Sequence, residues 1–342
     1  MRRTVTQQGI ARKAKVSQAT VSLILSGQDR GISGETREVV LKTARLLGYW
    51  KEGRNRPRTG IVGYVFPEHV DPAGQAFRIF YHGALMGAQR ALERERCHAL
   101  LGRADLKGKR LDEFAERVDG ALVHDDAPGH VLEALSARCP IVLLNWWDAS
   151  GRFDAVAQDH ESAIRDILRQ LHGLGHRRIA FLHHRPPGHH HEQRWRAYRA
   201  EMNALGLAPL DDGPFSPETR ERTAEETDRL VAGIAAAVKR LSKPATAIVC
   251  PSDTWALPLQ QAALAAGLKV PGDLSIVGYD DDEACRYASP ALSSVRVPMT
   301  ELGQRAAEIL LRRLETPAGP RERILLAGTF LPRGSVGPAK EG

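Results

Sequence analysis

At 342 residues, with 42% apolar and 26% charged residues, the chain has the composition of a soluble globular protein and the length of two domains. No apolar run reaches the roughly 18–20 residues that span a bilayer. The polar start, residues 1–8, lacks the apolar core of a signal peptide, which excludes a membrane span and predicts a cytoplasmic, nucleoid-associated protein.

The four cysteines, Cys97, Cys139, Cys250 and Cys285, stand far apart with no C-x-x-C pair, which excludes a disulfide framework and a zinc knuckle. The net charge of +7 is unevenly placed. Residues 1–58 hold thirteen Lys and Arg against four Asp and Glu, a net +9, and the remaining 284 residues sum to −2. A small basic head on a mildly acidic body is the electrostatic footprint of a polyanion-binding module.

Residues 6–48 read as three short helices. Thr6 is the predicted N-cap of the first, which places Ile10, Ala11 and Ala14 at helical spacing. After a tight connection at 14–16, Ser17 caps a second helix with Val21, Ile24 and Leu25 facing inward. The stretch 26–31 then breaks the pattern with glycine and polar residues. Ser33 caps a third helix whose expected core-facing stripe is Val39, Val40, Thr43, Leu46 and Leu47, ending at Gly48.

This is a helix-turn-helix, an all-α headpiece over residues 1–49, and its second helix is expected in the major groove of double-stranded DNA. The outward residues there are Gln18, Ala19, Ser22 and Leu23. Gln18 suits adenine and Ala19 a thymine methyl. Ser17, Thr20 and the basic residues are assigned to the phosphates, where they give register without sequence information, and Thr6 and Ser33 complete the expected DNA-binding set. Residues 50–60 read as a basic linker, in which Gly53 and Pro57 disfavour a helix. Its Arg54 and Arg56 suit a narrow A·T minor groove.

From Ile61 onward short apolar runs alternate with helical stretches. Strands are expected at 61–66, 120–123, 141–144, 155–157, 178–182, 247–250 and 275–279, with helices at 80–95 and 161–174 among those between them. Continuous apolar strands separated by helices indicate parallel α/β sheets, which bind ligands beyond the carboxyl ends of their strands. Those ends carry His124-Asp125-Asp126, Asn145-Trp146-Trp147, Asp159-His160, His183-His184, Ser252-Asp253-Thr254-Trp255 and Asp280-Asp281-Asp282, with Arg194 and Trp195 on the helix after the histidine-rich loop. Acids, an amide, an arginine and indoles around one cleft suit a hydroxyl-rich ligand.

Three stretches of the head, Val16-Ser17-Gln18-Ala19-Thr20-Val21-Ser22, Ile32-Ser33-Gly34-Glu35-Thr36-Arg37 and Leu47-Gly48-Tyr49, resemble the headpiece of the LacI/GalR family of transcription regulators. In the body, residues 175–182 and the run Val270-Pro271-Gly272-Asp273-Leu274-Ser275-Ile276-Val277-Gly278-Tyr279-Asp280-Asp281 are similar to that family's second lobe. The resemblance implies a periplasmic-binding-protein-like body over 61–342, built of two Rossmann-like parallel sheets. The first lobe would take 61–159 and 292–324, the second 160–291 and 325–342, with crossings near Asp159, near Ser289-Pro290 and near the C-terminus.

It also implies a repressor that binds a pseudo-palindromic operator as a homodimer and responds allosterically to a small polar effector such as a sugar. The effector's contacts would be Arg194, Asp253 and Asp280, with Asn145, Trp146 and Trp255 lining the pocket, to which the strand-end reading adds Asp125. Effector and operator would weaken or strengthen each other's binding by the same factor, typically about 1–3 kcal/mol.

The chain departs from the family at several points. Lys15 replaces a usual glycine and is expected to take a left-handed backbone at a cost of about 1 kcal/mol. Leu23 replaces a common guanine-reading Arg, and the linker lacks the usual wedge Leu. Asn145-Trp146 stands where an acid-basic pair is frequent, so the effector's identity does not carry over.

Readings of other classes fare worse. Residues 102–110 resemble a phosphate loop with wrong spacing and no hydroxyl, and no nucleophile elbow or H-E-x-x-H is present, which argues against an enzyme and gives no cofactor to expect. A metal-responsive regulator is suggested by His183, His184, His189, His190 and His191, although exposed histidine clusters bind metal adventitiously. A binding protein without effector-coupled DNA release would share the body, but not the basic head. Residues 337–342 are expected to be disordered, and no heptad repeat points beyond a dimer.

Overall fold

The structure is a computed structural model that describes residues 6–25, 31–47, 58–68, 70, 81–183, 189–211, 224–240 and 245–340. Arg54 and Arg56, the linker stretch 50–57 and His184 lie outside those residues.

The head is three helices, α1 (Gln7–Ala14), α2 (Gln18–Leu25) and α3 (Gly34–Leu46). Each starts at the hydroxyl cap expected of it. Thr6 Oγ1 accepts from Gly9 N at 3.2 Å, Ser17 Oγ from Thr20 N at 3.0 Å, and Ser33 Oγ from Thr36 N at 3.2 Å. Lys15 ends α1 in the left-handed region, at φ 56 and ψ 41, as a residue standing in for glycine must. Ile10, Ala14, Val21, Ile24, Val40 and Ala44 form the core. Val39, expected in that core, is exposed. With 3.6 residues per turn the buried face runs through 40, 43, 44 and 47, and 39 falls about 100° away from it.

The body starts with β1 (Ile61–Phe66), α4 (His82–Arg94), β2 (His98–Arg103), α5 (Gly108–Arg117), β3 (Gly120–His124), α6 (Gly129–Ser136), β4 (Ile141–Leu144) and β5 (Asp154–Asp159). It crosses to a second lobe of α7 (His160–Gly173), β6 (Ile179–Phe181), α8 (His189–Ala204), α9 (Ala224–Arg240), β7 (Ala247–Val249), α10 (Asp253–Ala265), β8 (Ser275–Val277) and α11 (Ala284–Tyr287). The chain then runs through β9 (Ser294–Arg296), α12 (Met299–Glu315), β10 (Arg323–Ala327) and β11 (Thr329–Leu331).

Two parallel sheets result. The first lobe has six strands in the order β10-β5-β4-β3-β1-β2, and the second has three, β6-β7-β8. Both faces of the inner part of the first sheet are covered, which is why β1, β3 and β4 read as nearly unbroken apolar runs. Tyr64, Leu122, Val142 and Leu144 pack on α4 and α12, while Val65, Val123 and Leu143 pack on α5 and α6. The two helices on one face approach closely at Gly87 and Gly303, where a Cβ would fall on the Thr300 and Ala84 carbonyls respectively. Arg313 on α12 grips Asp154 at the head of β5 by two 2.8 Å hydrogen bonds, fixing the C-terminal helix to the first lobe.

The pairing moves the lobe boundaries from their expected places. β9 pairs antiparallel with β11, Ser293 bridges to Val277, and Arg296 to Asp280, so residues 293–296 extend the second lobe. The second crossing therefore falls at 297–299, past Ser289-Pro290. β10 lies parallel to β5, so the last crossing follows Ala327 and not residue 324. Nor is the tail loose up to 340: Gly337 O lies 3.0 Å from His176 Nε2, Ala339 N donates to Leu174 O, and Lys340 reaches Asp273 at 2.7 Å.

Candidate effector and DNA-binding sites

On the head, Gln18, Ala19, Ser22 and Leu23 are all exposed on α2, as are Thr6, Ser17 and Ser33 at the helix starts; Thr20 is half-buried. Leu23 is 41% exposed. No residue of α2 is charged, and Arg12, Lys13 and Lys15 flank its start. The helix therefore exposes hydrogen-bonding and apolar groups, and positive charge sits beside its start. The Ser17 hydroxyl is already engaged in capping and lies 2.7 Å from Thr20 Oγ1.

In the body a cleft of about 260 Å³ opens at the carboxyl ends of the strands of both lobes. The chain turns sharply there. Asp125 follows β3 at φ 53, Asn145 follows β4 at φ 70, and Asp280 lies just beyond β8 at φ 111. Asp and Asn are the side-chain-bearing residues that tolerate such backbone best. Each turn aims a polar group into the cleft, which Asp125, Asn145, Arg194, Trp255 and Asp280 line as expected from the sequence.

Trp146 and Asp253 are not on its wall. The left-handed turn at Asn145 tucks the Trp146 indole under the first sheet, where Nε1 donates to Val123 O at 3.1 Å. Asp253, at the start of α10, stands behind the cleft. Its carboxylate accepts from Ser294 Oγ at 2.7 Å and from Asp282 N at 2.8 Å, and so holds the turn that carries Asp280. It presses on Gly278, where a Cβ would collide with Oδ1. Burial pushes the Asp253 carboxyl up to about 6 against these hydrogen bonds.

Tyr81, Gln158, Val297 and Met299, which sequence reasoning did not single out, complete the lining with His190 and His191 of the histidine-rich stretch and with Ser252 and Thr254. Of these, Ser252 and Thr254 flank Asp253 at a strand end that was recognised. Gln158 lies one residue from the recognised Asp159, inside β5.

The charged groups of the cleft are tightly tied. Burial would raise the Asp125 carboxyl, but the imidazoles of His124 and His190 beside it prevail and hold it well below the usual carboxylate range. It accepts from Tyr81 Oη at 2.6 Å and from Asn145 Nδ2 at 2.9 Å. Arg194 is buried flat over the Tyr279 ring, 3.6 Å from its centroid, and donates to Pro251 O. Its Nη2 lies 3.7 Å from Asp280 Oδ1, a charge contact too long for a hydrogen bond. Burial drives the Asp280 carboxyl well above its ordinary value, with Arg194 opposing and Asp253 and Asp282 adding to the rise. Asp280 Oδ2 is buried and has no hydrogen-bond partner among the described residues.

The histidine-rich stretch is dispersed. His183 stacks on Trp195 with ring centroids 4.6 Å apart, His189 sits edge-on to Trp147, and His190 and His191 face the cleft. Among the described residues no group of three or more His, Cys, Asp or Glu is placed to hold a metal ion. No helix among them is long and apolar enough to cross a membrane.

Comparison with known proteins follows the same division. Residues 6–52 match the family of bacterial regulatory proteins called the lacI family, and residues 168–336 match a periplasmic binding protein-like domain. An HTH-type transcriptional regulator of Streptomyces limosus is 32% identical, over 96% of this chain and 93% of its own length. The ribose operon repressor of Haemophilus influenzae is 29% identical, over 97% of this chain and 98% of its own length. A LacI family regulator of Enterococcus faecium solved with bound ribose superposes with a TM-score of 0.66 at 24% identity, over 82% of this chain and all of that one, a likeness of fold. A helix-turn-helix head and a two-lobed body on one chain, matched along nearly its whole length by such relatives, make this protein a DNA-binding transcription regulator that belongs to the lacI family.

Proposed function

We propose that the protein is a cytoplasmic repressor, not an enzyme, that grips a pseudo-palindromic operator as a homodimer and is controlled by a single-ring sugar bound in the cleft between its lobes. The observation that carries the effector's chemistry is Asp280 Oδ2, a buried carboxyl oxygen of a cleft-lining residue with no hydrogen-bond partner among the described residues. A buried polar atom left unpaired costs about 1–3 kcal/mol, which a ligand hydroxyl would recover. Trp255, Val297 and Met299 supply an apolar wall for the C–H face of a pyranose or furanose. The 260 Å³ volume lies below the roughly 300–1,000 Å³ of drug-sized sites, which favours one ring over two. That one relative is named for a ribose operon and a structural neighbour holds ribose supports the same class.

The test is thermal unfolding of the full chain against a panel of pentoses and hexoses, wild type beside Asp280→Asn, a change that keeps the backbone's tolerance of positive φ. At a hundredfold excess over its dissociation constant a true effector adds about 2.7 kcal/mol, a rise of several degrees in midpoint. The expected result is a shift with one sugar class, lost in the variant, and a changed affinity for an operator selected from random duplexes. An equal shift in the variant, or none with any sugar, overturns the effector assignment.

A further inference from the structure

The donors and acceptors around Arg194 leave little freedom. A guanidinium only donates, and Arg194 Nε lies 3.2 Å from His160 Nδ1, so that nitrogen accepts. Burial, and then the Arg194 charge, hold His160 well below its ordinary value, so its ring is neutral and carries its proton on Nε2. That nitrogen is 3.2 Å from His190 Nδ1, which must accept and leaves His190 Nε2 to donate to Asp125 Oδ1 at 2.8 Å. A second path runs the same way: Arg194 Nη2 to Gln158 Oε1 at 3.4 Å, Gln158 Nε2 to Asn145 Oδ1 at 2.9 Å, and Asn145 Nδ2 to the same Asp125 oxygen at 2.9 Å.

Arg194 and His190 belong to α8 of the second lobe and Asp125 to the first lobe. The two paths therefore span the cleft, and the imidazole of His190 is where the first one crosses. Its side chain is 23% exposed and that of Asp125 14%, so solvent screens the contact little.

We propose that His190 is a clasp between the lobes: it donates across the cleft to Asp125, so that an effector hydroxyl reaching for that carboxylate must displace a side chain of the protein itself. The second half rests on the cleft being the sugar site proposed above; the clasp itself does not. The imidazole then sets both how far the cleft closes without sugar and how strongly a sugar must bind to take its place. A hydroxyl that replaces the imidazole must donate to Asp125 as Nε2 does, which selects against effectors with an acceptor-only group at that position.

Hydrogen exchange of the full-length protein without added sugar tests the clasp. In His190→Ala, the amides of residues 124–127, which carry Asp125, and of 158–163, which carry Gln158 and His160 of the two paths, are expected to exchange about tenfold faster, the loss of one hydrogen bond to a charged group. Residues 6–25 of the head should be unchanged. His190→Gln, whose amide Nε2–H can reach the same oxygen, should bring the rate back toward wild type. Unchanged exchange in His190→Ala overturns the proposal, and so does a rise spread evenly over both lobes, which marks a weakened fold. Failure of Gln to rescue also overturns it. A clasp seen here with no sugar shift in the panel keeps this inference and removes the effector assignment.

Discussion

Replacing Arg194 by Ala strips the cation from beside Asp280 while the carboxylate stays buried. Breaking a buried charge pair by removing one partner costs about 3–5 kcal/mol. The 3.7 Å separation puts this pair at the low end, and loss of the stack on Tyr279 adds about 1 kcal/mol. A total near 4 kcal/mol is expected in mild alkali. The pH dependence follows from Asp280, whose carboxyl is already raised by burial and rises further without Arg194. A carboxyl raised on folding contributes stability that is complete below the unfolded carboxylate range and lost as pH climbs through its folded value. In the variant that loss is larger, so the difference from wild type should be small in acid and widen toward alkaline pH. Urea unfolding followed by tryptophan fluorescence, at about pH 5 and about pH 8, measures it directly. A difference that is equal at both pH values, or that narrows with rising pH, would refute the reasoning.

Leu23→Arg should gain a preference for guanine at one position of the half-site, by about 1–3 kcal/mol, read by selection from random duplexes. A steeper salt dependence with no change in base preference would place the side chain on a phosphate instead. For Asp253, raised to about 6, stability should fall as pH rises from the ordinary carboxylate range through about 6, by about 3 kcal/mol in all. Asp253→Asn should flatten that slope in a pH series of unfolding curves; parallel curves for the two proteins would show that the titration belongs to another group.

The head was legible almost to the residue because its signals are local: a hydroxyl before each helix and apolar groups at helical spacing. Val39 escaped because it opens an unbroken apolar run, Val39-Val40-Leu41, that let the stripe be drawn one residue too wide. In the body, strands β1, β3 and β4 announce themselves by being buried on both faces, while β2, an edge strand with no fully buried position, does not. The strand-end rule found Asp125, Asn145 and Asp280. It could not separate Asn145 from Trp146, because the left-handed turn between strand and loop, invisible in composition, decides which of the two enters the cleft. Tyr81 and Met299 come from opposite ends of the body and meet only through the packing of α4 on α12. Asp253 was recognised as belonging to the site, but its service to the Asp280 turn is a matter of three-dimensional hydrogen bonding.

The left-handed backbone at Asp125, Asn145 and Asp280 also limits how such a regulator can change its diet. Most side chains are strained at those positions, so a lineage drifting toward a new inducer can move between Asp and Asn there, switching a charge for an amide, at little cost to folding. Glycine would keep the turn and forfeit the contact. Wider variation is open at Ser252, Thr254 and Trp255, which sit on ordinary backbone. Inventive changes in taste should therefore accumulate on the second lobe's wall, around three hinge-like anchors that can alter only their charge.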